Sequence, residues 1–256
     1  MNNIFTVVTL DFVIQLVGFT VAFSLQTEKF YDLTGSCTFI LMAQASLRWR
    51  TKQHFRRMLL STMVTVWAAR LGIFLFYRVV TEGGDKRFTK VKTKPVVFLL
   101  YWMVQGVWIL VTSAPMLIVN SEKQNAPINS RDYIGFAIWI FGLLFEVTAD
   151  FQKLLFRSNP DNAGNFINTG LWSISRHPNY FGEILLWVGI FIIASSDLYG
   201  WKWICILSPA FVYYLLNYVS GIPLLERSGL KRYGDMPAYK NYINNVPVLV
   251  PFIGKT

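Results

Sequence analysis

The sequence predicts an all-α, polytopic membrane bundle of about seven transmembrane helices. Three observations carry this. Apolar residues make up 54% of the 256 and charged residues 15%, against roughly 45–50% and 25% in soluble domains. Mean hydropathy is +0.40. The charges also fall in short clusters that separate apolar runs of about 20 residues, the length a helix needs to cross the hydrocarbon layer.

Seven spans follow in order: 4–25, 33–47, 58–80, 95–119, 132–151, 180–196 and 201–219. The first contains Asp11 and Gln15 and lacks a positive leader, so it reads as a retained span rather than a cleaved signal. The second and sixth are short, which suits tilted helices or helix ends that line a cavity. RWRTKQHFRR (48–57) separates spans two and three, TEGGDKRFTKVKTK (81–94) follows span three, and NSEKQNAPINS (120–130) is a polar turn before span five. FRSNPDNAGNFINTG (156–170), rich in Asn, Gly and Pro, reads as a loop. After about residue 220 the chain leaves the membrane as an interfacial helix and a Pro-broken tail. The final GKT is not a phosphate loop, because Leu249 stands where that motif needs glycine. The whole chain, 1–256, is expected to form a single transmembrane domain.

The net charge of +10 sits in the loops between apolar runs. It therefore points to an anionic leaflet and an anionic ligand rather than to nucleic acid, for which no motif is present. Cys37 and Cys205 lie in apolar runs and read as buried packing residues, with no disulfide or metal pattern. Seven Lys/Arg fall on the N-terminal side of the seven-span topology and fourteen on the other, which places the C-terminus in the cytoplasm. The 48–57 cluster runs against that direction.

The stretch GLWSISRHPNYFGEILLWVG (170–189) carries the chemistry. Pro178 suits a first helical position. Asn179 and Glu183 then share a face, and Gly182 permits close approach of a second backbone or a ligand. Arg176 and His177 add positive charge to the helix N-terminus, which makes an anion site at the membrane boundary. An interfacial anchor explains Arg176 and Tyr180. It does not explain a carboxylate at 183, more than a turn into an apolar helix. In EVTADFQKLLFR (146–157), Glu146, Asp150, Lys153 and Arg157 recur at helical spacing, either pairing with one another or lining the same cavity. Arg70 lies inside span three and calls for a partner such as Glu146 or Asp11.

This stretch resembles the C-terminal signature shared by steroid 5α-reductases, sterol reductases and isoprenylcysteine carboxyl methyltransferases, whose Arg-His-Pro-x-Tyr-x-Gly core both reaction classes carry. WAARLGIFLFYRVVTEGGDKRF, EVTADFQKLLFRSNPDNAGNFINTGLW and SGIPLLERSGLKRYGDMPAYKNY resemble the DUF1295 branch, grouped with the steroid 5α-reductases, over most of 60–253. The resemblance implies a seven-helix bundle that holds NADPH in a cytoplasm-facing cavity and reduces a double bond conjugated to a ketone in an apolar lipid substrate. The cofactor-binding part is then about 132–256. By matching position, Asp150 and Arg157 hold polar parts of the cofactor. Asn179 and Glu183 lie near nicotinamide, adenine or ribose groups. Arg176, His177 and Tyr180 belong to the same motif, and Glu226 and Tyr233 to the tail that covers the cofactor. The third-span tyrosine of the reductases falls at Trp67, which supplies no proton, and Tyr77 and Tyr101 are alternatives without motif support. The resemblance leaves two alternatives open: S-adenosylmethionine-dependent methyl transfer to a lipid or prenylcysteine, and a non-catalytic lipid-binding protein. Endoplasmic reticulum is implied if the source is eukaryotic.

Overall fold

The computed structural model describes residues 2–50, 54–85, 87–123 and 126–253; the GKT end lies outside them. Among the described residues the chain is helical and without strands. The helices are α1 (Asn2–Ser24), α2 (Tyr31–Leu47), α3 (Phe55–Thr81), α4 (Pro95–Ser121), α5 (Ser130–Ser158), α6 (Pro178–Ala194), α7 (Leu207–Tyr214), α8 (Ile222–Tyr233) and α9 (Pro237–Asn245). Every expected span coincides with helix. Among the described residues, five segments are long and apolar enough to cross a membrane: Ile4–Ser24, Phe55–Thr81, Pro95–Ser121, Ser130–Ser158 and Gly200–Tyr233. Pro178–Ala194 is apolar but shorter. Side chains such as Phe5, Ile73, Val96 and Phe141 are exposed, as a hydrocarbon solvent allows. The protein is an integral membrane helical bundle. Helix α5 runs past residue 151, where the apolar stretch ends, because EVTADFQKLLFR continues its helical register without a breaker.

The chain divides into two compact units. The first comprises Met1–Asp132 and Ile193–Ser208; the second, Tyr133–Ile192 and Pro209–Thr256. In the first, α2 packs on α3 and α1 on α4. Its core includes Ala22, Phe88, Phe98 and Trp102, with Phe39 edge-on to Trp67 and to Trp108. Asp11 accepts from Gln15 at 3.1 Å, and Gln15 accepts in turn from Gln105 at 3.0 Å. Gly106 and Gly35 make room for these amides: a Cβ there would lie within 3.2 Å of the glutamine side chains. Cys205 is buried as expected, whereas Cys37 is exposed.

Arg56 and Arg57 are buried inside the first unit rather than facing headgroups. Arg56 forks onto Asp132 through two bonds of 2.7 Å and reaches Asp197 at 2.9 Å. Its two remaining N–H groups donate to the Ala126 and Pro127 carbonyls at 2.8 and 3.0 Å. All five guanidinium donors are thus used, the condition under which a buried cation is tolerated.

In the second unit α5 and α6 meet along a glycine seam. A Cβ on Gly182 would stand 2.6 Å from the Gly142 carbonyl oxygen, and one on Gly189 2.5 Å from that of Gly135. The two backbones therefore touch, with Cα–H groups facing carbonyls. The beginning of α6 consequently lies against the second half of α5. The 170–173 turn closes onto α5 as well: the Trp172 indole donates to the Ala149 carbonyl at 3.0 Å, and Gln152 accepts from the Leu171 amide at 2.9 Å. Gly170 has φ +59°, and a Cβ there would strike the Gln152 amide.

Two stability changes follow. Arg56→Ala strands two buried carboxylates and should lower unfolding free energy by about 3–5 kcal/mol, read as a lower Tm in detergent. Gly182→Ala forces the α5 and α6 backbones apart and should cost about 1–3 kcal/mol; an unchanged Tm would contradict the seam.

Candidate functional site

The site is built where the seam delivers the first turn of α6. Pro178 is its first residue. Asn179 donates from Nδ2 to Asp150 Oδ1 at 3.1 Å. An ionised carboxylate only accepts, so this bond sets the amide orientation and turns Oδ1 away from Asp150. Just before the helix, Arg176 and His177 are both buried. They share one carboxylate from α8: Glu226 Oε2 lies 2.8 Å from Arg176 Nη1, and Oε1 lies 2.7 Å from His177 Nε2. Tyr180 stacks on the His177 ring at 5.7 Å and 10°.

The C-terminal segment straps this turn in place. The Arg176 amide donates to the Pro247 carbonyl at 2.9 Å, Ser175 Oγ to Leu249 at 2.7 Å, and Tyr242 Oη to Trp172 at 2.8 Å. Ser175 also accepts from the His177 amide at 3.2 Å. Ser175, Trp172, Gln152 and Tyr242 all hold the site, and the sequence offered no signal for Ser175 or Gln152. Trp172 and Tyr242 look, in sequence, like any interfacial aromatic.

Burial holds the His177 imidazole below its ordinary value, outweighing the upward pull of Glu226. The neutral ring then donates from Nε2 to Glu226 and leaves Nδ1 as an acceptor. Nδ1 is buried with no hydrogen-bond partner among the described residues; the same holds for Arg176 Nε and Asn179 Oδ1. One cationic donor and two acceptors, all buried and without a hydrogen-bond partner among the described residues, thus collect within four residues at a helix N-terminus. Buried polar atoms are normally satisfied, which makes this concentration the candidate site.

The structure brings Asp150 to Asn179, and Arg176 and His177 to Glu226, with Tyr180 alongside. Glu183 is half-buried one turn further along α6, and Arg157 is exposed near the end of α5. Lys153 lies over the Trp172 ring at 4.2 Å. Tyr233 stands apart from the Glu226 pairings: it packs with Phe166 at 5.8 Å and Tyr239 at 5.6 Å, in an aromatic cluster that fastens α8 to α9. Gly182, read as room for a backbone or a ligand, admits the α5 backbone. Asp11, one candidate partner for Arg70, takes its hydrogen bond from Gln15.

The family model described as a protein of unknown function, DUF1295, matches residues 18–246. The chain belongs to the DUF1295 family. Among curated relatives, a 3-oxo-5-alpha-steroid 4-dehydrogenase 1 of Macaca fascicularis is 27% identical over 124 residues, 48% of this chain and 41% of that protein. A probable O-methyltransferase of Ustilaginoidea virens is 33% identical over 82 residues, 31% of this chain and 29% of its own. An uncharacterized protein of Schizosaccharomyces pombe is 25% identical over 180 residues, 57% of this chain and 51% of that one. This DUF1295 member thus spans about half or less of the length of the curated relatives it matches. No solved structure shows a significant match.

The unfolded chain takes up its imidazole proton near about pH 6.5, and folded His177 does so at lower pH. Between the two the unfolded state holds more protons, so His177 makes stability fall as pH drops through that window. Melting against pH in detergent should show an acid-side loss that is shallower in His177→Gln. Glu226→Ala leaves Arg176 buried without its carboxylate and should cost about 1–3 kcal/mol at neutral pH.

Proposed function

We propose that this chain is a membrane-embedded reductase that uses NADPH to reduce a carbon–carbon double bond conjugated to a ketone in a steroid-like or other apolar lipid. The observation that carries the reading is the set of unsatisfied buried atoms at the start of α6. Arg176 Nε donates a charge-assisted bond suited to a phosphate oxygen. His177 Nδ1 and Asn179 Oδ1 accept, as ribose hydroxyls require. Asp150 orients Asn179, and Glu226 fixes both the Arg176 fork and the His177 tautomer. Arg157, Glu183, Tyr180 and Tyr233 would complete the surroundings. When bound, the cofactor supplies the hydride; the chain binds it, orients it and keeps water from it. The relatives named steroid 4-dehydrogenases support this direction.

Methyl transfer from S-adenosylmethionine is the second reading, favoured by the relative named a probable O-methyltransferase. A sulfonium calls for acidic or aromatic neighbours, and the Glu226 carboxylate is already bound by Arg176 and His177. A non-catalytic lipid-binding protein has no use for three dry, unpartnered polar atoms. Because Arg56 and Arg57 are enclosed in the fold, the 48–57 cluster weighs less against a cytoplasmic C-terminus, and the reading places the site on the cytoplasmic side. In a eukaryote that membrane would be the endoplasmic reticulum.

Thermal melting of the purified protein with NADPH, NADP or S-adenosylmethionine tests it. At about 100 times Kd, NADPH should add about 2.7 kcal/mol. Asn179→Leu should weaken NADPH at least tenfold, because one buried acceptor is lost, and should also cost about 1–3 kcal/mol of stability without ligand, read as a lower Tm, because Asp150 loses a donor. Stabilisation by S-adenosylmethionine alone would overturn the reductase reading.

A further inference from the structure

A second polar site lies in the first unit, independent of the proposed reductase chemistry. A cavity of about 590 Å³ is lined by Arg50, Ser121, Glu122, Lys123 and Tyr199. It forms where α4 ends at Ser121 and where the chain turns at Tyr199–Gly200 into the following apolar segment. Two cations close the α4 terminus: Arg50 Nη2 donates to the Ser121 carbonyl at 2.6 Å, and Arg57 Nη2 to that of Glu122. These bonds answer the carbonyls and negative dipole of a helix C-terminus. The Glu122 carboxylate is engaged on both oxygens, by Lys202 Nζ at 2.6 Å and by Tyr199 Oη at 3.2 Å. Lys202 thus pairs with the one carboxylate in the lining, while Arg50 and Lys123 line the cavity and Lys123 at the rim is exposed.

The level of this cavity is set by its neighbours. Tyr199 and Trp201 are 64% and 70% exposed, followed by exposed Ile204, Ile206 and Leu207. Amphipathic rings above an apolar flank mark the headgroup boundary. We infer that this cavity binds a phosphate monoanion presented by an anionic phospholipid headgroup, with the acyl chains lying along Ile204 and Leu207. Arg50 and Lys123 in the lining supply the charge that a phosphate oxygen needs. Free phosphate shares the headgroup's chemistry but lacks the apolar part.

Full-length protein in dodecylmaltoside micelles provides the test. Melting is followed while short-chain phosphatidylglycerol, phosphatidylcholine of equal chain length or inorganic phosphate is added, for the wild type, Lys123→Gln and Arg50→Gln. The expected result is a saturable rise in Tm with phosphatidylglycerol that exceeds the phosphatidylcholine response. Its apparent affinity should fall about tenfold in each variant, the loss of one charge-assisted contact. Lys123 is exposed, so its substitution tests the site even if Arg50→Gln fails to fold. An equal saturable response to inorganic phosphate, lost in Lys123→Gln, supports the phosphate site but makes its source soluble. The inference is overturned if the two lipids act alike, if nothing saturates, or if Lys123→Gln responds as the wild type does.

Discussion

The second unit depends on the contact between the α5 and α6 backbones. Helices packed through ordinary side chains lie about 8–10 Å apart. Gly182 and Gly189 remove that spacing opposite Gly142 and Gly135. Only then can the short side chains of Asp150 and Asn179 meet at 3.1 Å. Their bond points the free amide oxygen of Asn179 outward. The same seam carries the Arg176–His177 turn into reach of Glu226, and the strap from 246 to 252 holds it there. In an apolar solvent no hydrophobic force draws helices together, so close van der Waals contact of small residues is the available adhesive.

The cluster around Arg56 and the turn before α6 hold buried charge differently. Arg56 uses all five of its donors on two carboxylates and two carbonyls. A network satisfied to that degree rigidifies its surroundings and has no capacity left for a ligand. At the start of α6 the opposite holds: Arg176 and His177 are paired well enough to stay buried, yet each keeps one dry, unpartnered nitrogen.

The stretch at 176–183 resembles a signature of reductases and methyltransferases alike, which suits a helix terminus that binds nucleotide-like anions and leaves the reaction to its occupant. On the proposed reading Glu226 decides between the cofactors. Engaged on both oxygens by Arg176 and His177, it adds no negative field for a sulfonium, while the arginine keeps a donor for phosphate.

The sequence by itself determined the class of fold and the helix start on which the candidate site is built. Apolar runs of membrane length, interrupted by charge, admit little except helices, because backbone polar groups in lipid must be satisfied within the segment. Pro178 at a helix start, followed by Asn179 and Glu183 on one face, was legible for the same local reason. Tertiary structure decided the rest. Arg56 and Arg57 looked like loop charges, yet Arg56 is buried against Asp132 and Asp197 and Arg57 against the Glu122 carbonyl, all far along the chain. Gly182 offered room without saying for what, and the α5 backbone took it. Tyr233 belonged to the tail, and only folding packs it with Phe166 and Tyr239. Ser175 and Gln152 carried no local signal, because their roles exist only as hydrogen bonds to residues that folding brings near.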